Sequence, residues 1–239
     1  MISQTDIIFR QLFDADSSTN TYLIADKSTS EAALIDPVLE KVEDYLSLIA
    51  QLGLRLVKTL DTHTHADHIT AQGTLRDKIG CVTMMGEQSL SECASAHFSD
   101  NENITLGHLN VTALYTPGHT DDSYCFLIQL SDTKVLLSGD TLLIRGTGRT
   151  DFQSGNAGQQ YRSLFDRLLQ LPEDTLVYPG HDYKGWTVST IGEEKANNPR
   201  LQVVDENAYI ELMSKLDLPN PKMMDIAVPA NQSCGNVKN

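Results

Sequence analysis

Three histidines and an aspartate fall within His63-Thr64-His65-Ala66-Asp67-His68, directly after the apolar run LRLVKTLDT. Imidazole and carboxylate are ligands of borderline first-row metals, and a set without cysteine disfavours structural zinc, which prefers thiolates in a closed shell. So many polar groups beside a buried strand would be costly unless something organised them. Further along, NVTALYTP runs into Gly118-His119, KVLLSG into Asp140, and TLVYP into Gly180-His181. Taken singly, a loop histidine such as His119 or His181 is more often a hydrogen-bonding turn residue, and Asp140 before Thr141 can simply cap a turn. Their weight comes from shared placement: four strands each deliver a metal-ligand side chain just past their last apolar residue. Loops at one end of neighbouring strands converge in space. Gly118 and Gly180 allow the sharp turns that aim the following imidazoles inward. His97 and His108 lack such context and read as surface or turn residues.

These loops need strands beneath them. IIFRQLF, TYLIAD and EAALIDP read as three short strands separated by polar turns. Asp36 is positioned to cap a helix with Pro37 at its first turn. Val38, Val42, Tyr45, Leu46, Ile49 and Leu52 form its apolar stripe, and Gly53 closes it. After HTHADH the pattern predicts a helix to Ile79 and Gly80, a strand CVTMM, a helix over about 87–96, and strands at NVTALYTP, SYCFLIQL and KVLLSGD. A further helix places Tyr161, Leu164, Phe165, Leu168 and Leu169 on one face before Pro172. TLVYP is a strand, and the carboxyl end reads as two modest helices and a tail. Hairpin-like strand groups with interspersed helices argue for two mixed sheets with helices outside, in the α+β class, rather than a doubly wound parallel sheet. One domain over 1–239 is expected, since a chain of this size buries about 70–75% of its unfolded surface without a disulfide framework.

The chain carries a formal net charge of −14. That field repels phosphate backbones and anionic lipid, so neither nucleic acid nor a membrane is an expected partner. No apolar run approaches the roughly 18 residues of a membrane span. The four cysteines, Cys81, Cys93, Cys125 and Cys234, match neither a paired metal motif nor a disulfide scaffold, so free thiols in a reducing compartment are expected. The amino-terminal stretch lacks the marks of a secretory signal and is acidic for a transit peptide. A cytoplasmic location is the expectation, with the mitochondrial matrix as the alternative for a mature form already imported.

THTHADH, TPGHT, SGD and PGHD together resemble the signature of the metallo-β-lactamase superfamily, which implies an αββα sandwich with the metal at the edge between its sheets. HTHADHITAQGTLRDKIG, GDTLLIRGTGRTDFQSG, YPGHDYKGWTVSTIGEEKANNPRL and LDLPNPKMMDIAVPANQSCG are similar to the persulfide dioxygenase (sulfur dioxygenase) family over most of the chain from His63 to Gly235. That resemblance implies one non-haem Fe(II) per chain, held by His63, His119 and Asp140. His65, Asp67, His68 and His181 would surround the iron without ligating it. The implied substrates are glutathione persulfide and O2, the products sulfite and glutathione, and the assembly a homodimer.

Glutathione brings two carboxylates to an acidic protein, so cations must be local. Arg145, Arg149, Tyr183 and Lys184 follow the Asp140 and His181 loops and are the candidate substrate contacts. Arg149 has an alternative as a loop brace paired with Asp151. The structural use is favoured for Arg145, and Tyr183 can equally be a packing residue. Two readings compete with the dioxygenase. In a glyoxalase II-type hydrolase, all seven polar residues hold two metals and a bridging hydroxide attacks a glutathione thioester. A metal-free binding domain that kept the fold would have lost ligands, and none is missing.

Overall fold

The computed structural model describes residues 7–220 and 223–236; the first six residues of the stretch read above for targeting signals lie outside them. Strands β1 (Ile7–Asp14) and β2 (Thr19–Asp26) form an antiparallel hairpin, and β3 (Glu31–Ile35) extends it. Helix α1 (Val42–Gln51) then crosses to β4 (Arg55–Leu60), and α2 (Gln72–Ile79) leads to β5 (Val82–Gly86) and β6 (Ala96–Phe98). These six strands lie in sequence order, antiparallel through β3 and parallel beyond it.

The second sheet contains β7 (Asn103–Leu106), β8 (Leu109–Tyr115), β9 (Tyr124–Leu130), β10 (Thr133–Leu137), β11 (Leu176–Tyr178) and β12 (Ser189–Thr190), again in sequence order. Among the described residues its one parallel pair is β10 with β11. Outside it pack α3 (Ala157–Arg162), α4 (Ile191–Asn197) and α5 (Glu206–Ser214), while α6 (Met224–Asn231) lies against the loop after β4.

Alternation along β2 produces the layers. Tyr22 and Ile24 face the second sheet and join Leu60, Phe98, Val111, Phe126 and Leu137 in the central core. Leu23 and Ala25 face outward onto Val42, Tyr45 and Ile49 of α1. The far face of the second sheet, with Leu114, Leu136 and Val177, packs on Leu164, Leu168, Ile191 and Tyr209. The result is the expected α+β sandwich of two mixed sheets with helices on the outer faces. A fully buried Leu, Ile or Phe contributes about 1.5–3 kcal/mol, so the three apolar layers dominate the stability.

Several local expectations differ from the structure. No helix covers 87–96; Ser95 instead exchanges hydrogen bonds with Thr83 and leads into parallel strand β6. Asp36 does not cap α1, which begins only at Val42; the Asp36 φ is +53° and its carboxylate turns inward. The carboxyl end holds three helices rather than two, because α6 forms around Pro229 within the predicted tail. Cys81 and Cys125 are free thiols, as expected for all four cysteines, and both are buried, but Cys93 and Cys234 form a disulfide. Spacing could not reveal that pair because the partners are 141 residues apart.

Candidate metal centre

The carboxyl ends of β4, β8, β10 and β11 open onto one edge of the sandwich. Because β8 and β10 are both antiparallel to β9, they run parallel to each other, and β11 runs with β10. The loops carrying His119, Asp140 and His181 therefore leave the second sheet at the same end. The loop after β4 is drawn to them by Tyr124 N, which donates to Thr62 O at 2.8 Å. Gly118 makes its turn at φ +141°, with its α-carbon against the Gln160 backbone. At Gly180 the constraint is proximity: a β-carbon would stand 2.8 Å from Asp140 Oδ1.

His63, His119 and Asp140 bring one ligand atom each to within 4.8 Å of one another. Whether they suit a metal depends on which ring nitrogen is free. His119 Nδ1 donates to the Arg149 carbonyl at 2.7 Å, leaving Nε2 with its lone pair 3.6 Å from Asp140 Oδ2. His63 Nδ1 lies 2.9 Å from Thr62 Oγ1, whose proton goes to Asp36 Oδ2 at 3.0 Å. The hydroxyl therefore accepts from Nδ1, and His63 also keeps its lone pair on Nε2. Burial, reinforced by His65 and His119, holds the His63 pKa well below its ordinary value, so the ring is neutral as ligation requires. Asp140 gives Oδ1 to His181 Nδ1 at 2.7 Å and keeps Oδ2 on the His119 side. Burial alone would raise the Asp140 pKa, but His181, His119 and His63 hold it below the ordinary carboxylate range. Two imidazoles with Nε2 turned inward and one carboxylate oxygen make an N,N,O set whose donor chemistry fits a non-haem iron.

The other four predicted residues stand beside this set. His181 donates from both ring nitrogens, to Asp140 and to Asp67 Oδ2 at 2.9 Å. Burial opposes its charge, yet these two carboxylates lift its pKa well above the ordinary value. Asp67 Oδ2 also accepts from His68 Nδ1 at 2.8 Å and from Thr19 Oγ1 at 3.1 Å. His65 Nε2 donates to Asp36 Oδ1 at 3.1 Å. Burial lowers the His65 pKa, but Asp36 outweighs it and brings the group to about 9. His65 Nδ1 and His68 Nε2 are buried without a hydrogen-bond partner, and with Asp67 they form a second cluster of possible ligands.

The four predicted substrate contacts divide into two pairs. Arg145 is tied by its guanidinium to Glu193 and Glu194, and its backbone N donates to Glu194 Oε2 at 2.8 Å. Arg149 grips both Asp151 oxygens at 2.7 Å, donates to the Pro219 and Leu218 carbonyls, and lies over the Phe152 ring. Tyr183 is 71% exposed and stacks on His181, with 8° between the rings. Lys184 is exposed, its ammonium 4.8 Å from the centre of the Trp186 ring.

Sequence reasoning missed Asp36, whose carboxylate serves Thr62 and His65 together. It follows the last apolar residue of β3 much as Asp140 follows β10, so the same signal was present. Asp122, which holds Thr64 through its backbone N and hydroxyl, and Gln153, which donates to Thr64 O at 2.6 Å, carried no such signal.

The metallo-beta-lactamase superfamily profile matches residues 15–181. The chain is 44% identical over 234 residues to the human mitochondrial persulfide dioxygenase ETHE1, covering 98% of this chain and 91% of that one. The crystal structure of ETHE1 from Myxococcus xanthus superposes with a TM-score of 0.92 at 50% identity, covering 96% of this chain and all of that one. A probable hydroxyacylglutathione hydrolase from Schizosaccharomyces pombe is 30% identical over 85% of this chain and 89% of its own length.

Proposed function

This chain belongs to the metallo-β-lactamase superfamily and, within it, to the persulfide dioxygenase family, and from that premise we propose that it oxidises glutathione persulfide at one Fe(II) held by His63, His119 and Asp140. The overall reaction combines the persulfide, O2 and water to give glutathione and sulfurous acid, which ionises to sulfite. The bond between the two sulfurs breaks. The outer sulfur gains three oxygens, two from O2 and one from water, and O2 takes the four electrons it loses.

When bound, the iron supplies redox chemistry and coordination positions that the protein leaves open. The chain's own residues fix the geometry. The Arg149 carbonyl and Thr62 hydroxyl set the tautomers of His119 and His63, and His181 holds one oxygen of Asp140 so that the other faces the triad. Tyr183 and Lys184, exposed beside His181, meet the glutathione carboxylates. Arg145 and Arg149 already have carboxylate partners, which supports their use as loop braces.

The observation that carries the single-metal reading is the likeness to persulfide dioxygenases over nearly the whole chain, together with the His63, His119 and Asp140 set at the sheet edge. A hydrolase with two metals needs His181 and Asp67 as ligands, and would gain support from the unpaired nitrogens of His65 and His68. Metal analysis of the protein as isolated separates the two: one iron per chain is expected, whereas two metals per chain would favour the hydrolase. Among the described residues, no helix is long and apolar enough to cross a membrane. The reading includes a homodimer in the cytoplasm or the mitochondrial matrix, and sedimentation checks the assembly.

A further inference from the structure

The loop that carries His63, His65, Asp67 and His68 is buried and irregular, so its backbone groups need partners that neither sheet nor helix supplies. One side chain provides three. Asn231, 2% exposed at the end of α6, accepts from Thr70 N at 2.8 Å and donates to the carbonyls of His65 and His68 at 2.9 and 2.8 Å. Just beyond it, Cys234 O accepts from Gly73 N at 2.9 Å, and a β-carbon on Gly73 would lie 2.5 Å from that oxygen. The segment from α6 to Gly235 is thus a strap laid directly on the metal loop.

Its own apolar hold is slight: Ile69, Ala227 and Ala230 are buried together, with Leu39 and Met223 alongside. A segment with so few buried contacts opens readily by itself. Its covalent fastening is the Cys93–Cys234 disulfide. Cys93 lies in the connection between β5 and β6, and its carbonyl accepts from Arg76 of α2 at 2.7 Å. Cys234 is buried, whereas Cys93 is half-buried and lines a surface groove of about 760 Å³ with Leu90, Glu92, Pro229 and Gln232. A small thiol can therefore reach Cys93 from the groove.

We propose that Asn231 is a positioning residue for the metal loop and that the Cys93–Cys234 bond makes its hold redox-dependent, so that a low-molecular-weight thiol loosens the loop. A thiolate attacks Cys93 Sγ, the bond between the two cysteines breaks, and Cys234 leaves as the thiolate. A second thiolate then attacks the mixed disulfide. The protein gains two electrons and becomes a dithiol, while the small thiol leaves as its disulfide. This device is independent of which reaction the centre carries.

Hydrogen exchange of the full-length protein tests it without substrate or oxygen. Wild type is compared after diamide oxidation and after dithiothreitol, alongside Cys93→Ser without reductant and Asn231→Ala in both states. Peptides spanning 63–75 should exchange roughly tenfold faster in reduced wild type and in Cys93→Ser than in oxidised wild type, with those in β8–β10 unchanged. Asn231→Ala should show the fast rate in both states, and each loosened form should lose more metal to a chelator. Equal exchange in oxidised and reduced wild type, alkylation of both cysteines after diamide, or an equal rise throughout the molecule would overturn the proposal. Because the redox comparison on wild type needs no substitution, the test stands even if a variant fails to fold.

Discussion

The imidazole of His119 is aimed by the backbone of Arg149, whose carbonyl accepts from His119 Nδ1 at 2.7 Å, while the Arg149 side chain pins that backbone to Asp151 and to the carbonyls of Leu218 and Pro219. One residue thereby connects the carboxyl-terminal region to the orientation of a proposed iron ligand. Charged hydrogen bonds of this kind contribute about 1.5–3 kcal/mol each at most. Arg149→Ala should reduce iron content in step with activity and lower the urea midpoint. A higher KM with full iron occupancy would instead identify Arg149 as a substrate contact.

Lys184 and Tyr183 should behave in the opposite way. Lys184→Ala is expected to raise the KM for glutathione persulfide about two- to fivefold, the size of an exposed charge pair, with iron content unchanged. Loss of iron would place the residue in the scaffold of the site.

His63→Ala should remove iron binding and turnover while the metal-free protein still folds cooperatively, because His63 sits at the loop edge of the sandwich outside its apolar layers. Metal analysis and circular dichroism on the same sample check this. Retained iron with full activity would contradict the assignment of this ligand.

The His65–Asp36 pair links stability to pH. Burial opposes the charge on His65 and Asp36 favours it more strongly, giving a folded pKa of about 9 against an ordinary 6.5. The folded pKa is the higher one, so the contribution is complete below about pH 6.5 and disappears as the pH rises through about 9. The unfolding free energy of the metal-free protein should fall across that window by at most about 1.4 kcal/mol per pH unit. Denaturation of wild type and Asp36→Asn at several pH values should show a shallower fall in the variant, the remainder coming from His181, whose pKa is also raised.

Gly118→Ala should cost about 1–3 kcal/mol or more, since a β-carbon there enters the Gln160 backbone at a φ of +141°. An unchanged melting temperature would mean that the turn and the helix it touches are free to shift.

The strands and the histidine-rich cluster were readable because they rest on local patterns. Short apolar runs bounded by polar turns mark β2, β9 and β10, alternation marks β8, and His63 to His68 are neighbours in the chain. What the sequence concealed depends on distance. Asp36 looks like a helix cap because Pro37 follows it, and only packing reveals that its carboxylate serves Thr62 and His65. β6 is three residues long and is held by parallel pairing with β5, so its preceding segment passes for a helix by periodicity alone. Pro229 disguises α6, and Asn231 reaches backbone groups more than 160 residues away. The two arginines were recognised as important, but their carboxylate partners are visible only in three dimensions, apart from the nearby Asp151.

Oxygen uptake by the iron-loaded protein given glutathione persulfide, with sulfite quantified in the same vessel, tests the central claim most directly. One O2 consumed for each sulfite formed, and no turnover without air, is the expected result. Anaerobic turnover at the aerated rate, or thioester cleavage without oxygen uptake on the persulfide, would contradict it.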